Sequence, residues 1–152
     1  MICTERFPGR DLYSTIDLLH SDARDAARFL RREGVAPDLV YIDPPFAAER
    51  EFRLSLEVAT GDASRKIDRV AYSDRWGALE TYLEFMETVL KEIHALLDDR
   101  GSLLLHCDHR ASPYLAIQCD RIFGLGDREE RGTPGFRNEL IWRYGLGGSS
   151  PT

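Results

Sequence analysis

Asp43-Pro44-Pro45-Phe46 is the segment of this 152-residue chain best suited to chemistry. Two successive prolines fix the backbone, and their carbonyl oxygens face no competing local amide donor. Asp43 adds a carboxylate acceptor, and Phe46 adds a flat apolar face. Such a set can grip a planar ring that bears an exocyclic amine. Two acceptors take the amine protons while the aromatic ring stacks on the base. Arg50, Arg53, Arg65, Lys66 and Arg69 follow the motif closely. Guanidinium groups suit phosphate contacts, and a solvated loop fits the same residues equally well.

The elements that must position this motif follow from the order of the chain. Asp38 to Ile42 reads as an apolar, buried parallel strand that the two prolines terminate. Thr15 to His20 reads as an earlier strand. Ser21-Asp22 then resembles the cap of a helix over Ala23 to Arg32, and Gly34 is its stop signal. Leu79, Tyr82, Leu83, Met86, Leu90, Ile93 and Leu97 recur at helical spacing, so Ala78 to Leu97 reads as a helix. That spacing makes Trp76, Tyr82, Phe85 and Met86 core residues rather than a ligand box. Ser102 to Cys107 reads as a third strand, with Asp108 at its end. Tyr114 to Phe123 reads as a helix stopped at Gly124, and Asn138 to Tyr144 as a fourth strand that includes Trp142. Residues 47–77 are polar, charged and weakly periodic, as in a flexible binding loop. Residues 128–135 read as a charged loop and 145–152 as a linker. Strands alternate with helices, so the fold class is α/β with a mostly parallel sheet. Ligands of such sheets sit beyond the carboxyl ends of the strands, where Asp22, Asp43 and Asp108 all fall.

Bulk properties exclude several classes. A net charge of -6 argues against a surface that holds nucleic acid by charge alone. No segment has the apolar length of a membrane span, and Met1 to Arg6 lacks the regions of a signal peptide. Cys3, Cys107 and Cys119 are odd in number, and Cys107 reads as a buried small hydrophobe. A cytoplasmic protein with reduced thiols is the expectation. His20, His106, Cys107, Asp108 and His109 match no zinc spacing, and strand alternation sends His106 and Cys107 to opposite faces, so no metal is expected. Ser112 lacks the context of a hydrolase nucleophile.

The surrounding residues resemble a known family. Leu19-His20-Ser21-Asp22-Ala23 followed by Asp38-Leu39-Val40-Tyr41-Ile42-Asp43-Pro44-Pro45-Phe46 is similar to the opening of β-group site-specific DNA amino-methyltransferases, including type III modification subunits. Arg100-Gly101-Ser102-Leu103-Leu104-Leu105-His106-Cys107-Asp108 is similar to their next strand. Asp120-Arg121-Ile122-Phe123-Gly124 and Phe136-Arg137-Asn138-Glu139-Leu140-Ile141-Trp142 resemble the helix and strand that follow. The resemblance runs from about Asp17 to Gly148.

It implies a fold, a cofactor and a mechanism. The fold would be part of a Rossmann-like S-adenosylmethionine-dependent methyltransferase sheet, with residues 1–152 as its N-terminal catalytic-motif part. Residues 145–152 would begin the target-recognition region. The partners would be S-adenosylmethionine and double-stranded DNA, with a restriction subunit or a second copy as further candidates. A flipped-out base would be held by Asp43 and the Pro44 carbonyl, with Phe46 stacked on it. The catalytic set is then Asp43, Pro44, Pro45 and Phe46, and the cofactor set Asp22 and Asp43. Ser21-Asp22 departs from the family's usual Gly-Asp. Asp rather than Ser at position 43 favours adenine over the N4 amine of cytosine. A non-catalytic remnant or interaction module is the alternative of another class.

One family element is missing. Gly124-Leu125-Gly126 follows a helix, and Gly145-Leu146-Gly147-Gly148 precedes none, so neither has the setting of a Phe-x-Gly-x-Gly cofactor loop. In the family's sheet the strands before Asp22 and before Asp43 are separated by two strands from the cofactor-loop half. The expectation is a truncated or partial product that binds S-adenosylmethionine poorly and is inactive as a fragment.

Overall fold

The computed structural model describes residues 3–9, 15–60, 63–126 and 134–143. Among these the elements run β1 (Cys3–Pro8), β2 (Thr15–His20), α1 (Ala23–Arg32), β3 (Leu39–Ile42), β4 (Arg50–Thr60), β5 (Ala63–Asp74), α2 (Leu79–Leu96), β6 (Ser102–Leu105) and α3 (Ser112–Phe123). Helices and strands mix as an α/β chain should.

Helix α2 organises the core. Its apolar residues return every three to four positions, and Tyr82, Met86, Val89, Leu90, Ile93 and Leu96 are buried. Tyr82 and Met86 pack with Ala111 and Leu115 at the start of α3, and Ile42, Trp76, Leu105 and Cys107 close around them. Gln118 fixes α3 to α2 by donating from Nε2 to the Leu83 carbonyl at 2.8 Å. Helix α1 lies along α2 and is joined to it by ion pairs from Arg28 and Arg31 to Glu92 at 2.8 and 3.7 Å. Its start is capped as expected: the Asp22 carboxylate accepts from the Arg24 N–H at 2.9 Å. Its end turns through Gly34 at φ 75, a conformation only glycine adopts readily.

Strands β3 and β6 pair in parallel, Leu39 opposite Ser102 through Ile42 opposite Leu105. The turn into β6 is tight. A side chain at Gly101 would stand 2.8 Å from Leu97 Cδ2 and 2.9 Å from the Pro37 carbonyl oxygen.

Four expectations need correction. Strand β3 is not buried on both faces: the helices cover one, and Leu39 and Tyr41 on the other are 57% and 59% exposed. The sheet is not mostly parallel. Among the described residues, β2 pairs antiparallel with β1, β4 pairs antiparallel with β5, and β3–β6 is the one parallel pair. Residues 47–77 are not a structureless loop, because they carry the long β4–β5 hairpin. Short-range alternation there was hidden by charges on one face and a bulge between Phe52 and Arg53. Residues 138–143 form no strand, and Leu140, Ile141 and Trp142 are more than 80% exposed. An apolar run without a neighbouring strand to pair with has no ladder to join. The expected linker 145–152, the end of the fourth strand at Tyr144 and residues 128–133 of the charged loop lie outside the described residues.

Candidate active site

Parallel pairing brings two chemically useful residues together. β3 ends at Ile42 and β6 at Leu105, in register, so Asp43 and His106 leave the sheet side by side. The His106 N–H donates to the Ile42 carbonyl at 2.9 Å and holds that geometry. His106 Nδ1 then lies 3.7 Å from Asp43 Oδ1 and 2.9 Å from the Tyr41 hydroxyl. With its proton on Nδ1 the ring donates to the Tyr41 hydroxyl, and with its proton on Nε2 it accepts from it, while Asp43 stands beyond hydrogen-bond reach. The His106 ring also lies 5.3 Å from that of Phe46. The Asp43 side chain is 54% exposed, so its oxygens are accessible to a ligand. Among the described residues, no backbone hydrogen bond ends on the Pro44 or Pro45 carbonyl.

Two carboxylates fasten the turn that follows. Asp74, 2% exposed, accepts from the Phe46 N–H at 3.1 Å and the Ala48 N–H at 2.9 Å. It also accepts from Trp76 Nε1 at 2.8 Å. Glu49 answers from the other side, accepting from the Trp76 N–H at 2.8 Å and the Gly77 N–H at 3.2 Å. The base of the hairpin is thus clasped from both ends. Ala47 and Glu49 both have φ 53, a left-handed conformation that costs a non-glycine residue energy and persists where neighbouring bonds dictate it.

Asp22 is placed elsewhere. It follows β2, whose sheet is separate from that of β3. Both its carboxylate oxygens are held by Arg24 at 2.9 Å. The hydrogen bond from the Arg24 side chain draws its pKa down to about 2, against the opposing pull of burial. Among the described residues, no hydrogen bond, ion pair or ring contact joins Asp22 to Asp43–Phe46. Asp108 is occupied as well. Burial works against its charge, and bonds from the Arg110 side chain and the Arg110 and Ala111 N–H groups outweigh it, lowering its pKa. It therefore organises the turn into α3.

The cations after the motif divide. Arg53 is paired with Glu51 at 2.9 Å and with Asp68 at 3.3 Å, while Arg50, Lys66 and Arg69 make no ion pair among the described residues. The side chain of Arg65 lies outside them. No three His, Cys, Asp or Glu side chains gather as a metal site among the described residues.

Three site residues escaped the sequence reading. His106 carried a usable signal: it is the first residue past β6, as Asp43 is the first past β3. Asp74 and Glu49 act across 26 to 28 positions, and no local pattern marks such partners.

Residues 37–150 match the DNA methylase family (N6_N4_Mtase), and the chain belongs to that family. Methylases of this family act on the exocyclic amines of adenine or cytosine and take the methyl group from S-adenosylmethionine. The chain is similar to the type II methyltransferase M.EcaI of Enterobacter cloacae, 33% identical over 104 residues. That alignment covers 68% of this chain and 20% of the relative, so the chain spans about one fifth of the relative's length. No solved structure matches it. No helix among the described residues is long and apolar enough to cross a membrane.

Proposed function

We propose that Asp43, Pro44, Pro45 and Phe46 form the target-amine side of an active site that methylates adenine at N6 in double-stranded DNA. One observation carries the reading. At the carboxyl end of β3, an exposed carboxylate, two carbonyls that have no backbone partner among the described residues and an aromatic ring occupy successive positions. An exocyclic amine inside a duplex is not presented to such a set, so the base must leave the stack to reach it. Asp43 and the Pro44 carbonyl accept the two amine protons. That turns the nitrogen lone pair away from Asp43 and Pro44, toward the side on which the methyl donor would bind. Phe46 holds the ring plane. Bound S-adenosylmethionine would supply the methyl group, its sulfur–methyl bond breaking as the nitrogen–carbon bond forms, with S-adenosylhomocysteine as the leaving group. One amine proton leaves as the new N–C bond forms, and Asp43 is the nearest acceptor for it.

The donor set fits S-adenosylmethionine unevenly. Asp43 offers open acceptor atoms. Asp22 caps α1 and pairs with Arg24, and its partly exposed carboxylate, with one donor on Oδ2, keeps acceptor capacity for a cofactor hydroxyl. The separation of β2 from β3 fits a Rossmann-like sheet in which other strands lie between them. Cytoplasmic location follows from a DNA substrate.

The reading is tested on a methylase that carries this chain together with a cofactor-loop half: it is incubated with duplex DNA and methyl-labelled S-adenosylmethionine, and the DNA is then digested to nucleosides. Label in N6-methyladenosine supports it. Label in N4-methylcytidine corrects the base, and absence of label from DNA refutes the reading.

A further inference from the structure

The β4–β5 hairpin has two unlike faces. Cross-strand partners share a face, and side chains alternate along each strand. One face carries Glu51, Arg53, Ser55 and Asp68, joined by ion pairs and by the Ser55 hydroxyl, which donates to Asp68 at 3.0 Å. It is a largely polar surface of paired charges, with Val70 opposite Arg53 as its exposed apolar residue among those described. The other face carries Phe52 stacked on Tyr72, with ring centres 4.6 Å apart, and then Leu54, Leu56, Ile67 and Arg69. The last four line an open groove of about 340 Å³. From Phe52 to Leu56 and from Ile67 to Tyr72, no acid lies on this face. Arg69 has no ion-pair partner among the described residues. Leu54 and Leu56 are about half exposed, at 51% and 48%.

From this asymmetry we infer that the hairpin is a DNA-contacting arm, whose apolar face and Arg69 lie in a groove of the duplex beside the extruded base. The inference rests on the methylase reading and names the surface that reading left open. Three observations favour DNA as the occupant. A two-stranded ribbon is one of the shapes a duplex groove admits. The hairpin begins at Arg50, four residues past Phe46, and its base is clasped to the acceptor turn by Asp74 and Glu49. Whatever covers its first turns is therefore next to the target base. The face also pairs aromatic and branched apolar side chains with an unneutralised guanidinium. Such side chains fill the gap between unstacked bases while the cation meets phosphate or the groove floor. A second copy suits it less. Face-to-face pairing would bury two Arg69 cations with no acid between Phe52 and Leu56 or between Ile67 and Tyr72 to pair them, and buried unpaired charge is costly.

The test uses the full chain without S-adenosylmethionine, so that binding is read apart from methyl transfer. The probes are a fluorescent duplex and the same duplex with one mismatched pair, titrated by anisotropy over a range of salt. Arg69→Ser is expected to weaken binding about tenfold and to lower the salt slope by about one. Leu56→Ser is expected to remove the preference for the mismatched duplex. Arg53→Ser, on the ion-paired face, is expected to stay within about twofold of wild type. Circular dichroism checks that each variant folds. Wild-type affinity and mismatch preference in both Arg69→Ser and Leu56→Ser would overturn the inference. So would unchanged DNA binding together with lost self-association in sedimentation, which would give the face to a second copy. A wild type that binds neither duplex also overturns it, and the methyl-transfer assay then judges the methylase reading separately.

Discussion

The Phe46 N–H points at the buried Asp74 carboxylate, 3.1 Å away across 28 residues of sequence. The same carboxylate takes the Ala48 N–H and the Trp76 indole. One side chain thereby ties the turn behind the acceptor motif to the entrance of α2. Replacing it with Ala leaves three donors without a charged acceptor. Buried donors left unsatisfied are among the expensive defects, so Asp74→Ala is expected to lower stability by about 2–4 kcal/mol. Urea unfolding measures this. Asp74→Asn, which keeps an acceptor oxygen, should lose less.

Asp22 should act as a cap with a distinct pH signature. Asp22→Ala is expected to cost about 1 kcal/mol. Arg24 holds the folded-state pKa at about 2, below the value of an unfolded Asp. A depressed carboxyl stabilises fully above its unfolded pKa and loses that contribution as pH falls through the folded one. The difference in Tm between wild type and Asp22→Asn should therefore shrink between about pH 4 and pH 2. Both partners are more than a third exposed, so salt should reduce the difference as well.

Burial separates two apolar residues that the sequence treats alike. Leu90 is fully buried in α2, whereas Ile141 is 83% exposed. Leu90→Ala is expected to cost about 2–5 kcal/mol. Ile141→Ala should change stability by less than about 0.5 kcal/mol. Calorimetric or denaturant unfolding of the two variants checks the contrast.

The thiols of α3 and of the segment after β6 should be sluggish. Burial raises the pKa of Cys119 to about 11, and burial also raises that of Cys107. The thiolate is the reactive form. Alkylation at pH 8 in the folded protein should be far slower than for free cysteine and should accelerate on adding urea. Peptide mapping after timed iodoacetamide treatment resolves the two sites.

What the sequence made legible follows physical range. Helices α1 and α2 and strands β2, β3 and β6 were readable because apolar periodicity, Asp22, Gly34 and the paired prolines are local signals. The hairpin was missed because its apolar residues alternate with charges that satisfy one another across strands, as Arg53 does with Asp68. Asn138 to Trp142 looked like a strand, but a strand exists only with a partner. The segment proposed as the amine acceptor, Asp43 to Phe46, stands out in the sequence by residue type and by its place after an apolar strand. Its neighbour His106 and its anchor Asp74 do not, since the parallel pairing and the long-range clasp that place them are products of the fold.

The central claim is that Asp43 holds the target amine. The most direct measurement is the rate of methyl transfer to duplex DNA by a methylase that carries this chain together with a cofactor-loop half, wild type against Asp43→Ala, with duplex binding followed in parallel. Loss of an acceptor that organises the reacting nitrogen should lower the rate by about a hundredfold or more, while duplex binding and thermal stability stay near wild type. A variant that methylates DNA at the wild-type rate would contradict the account.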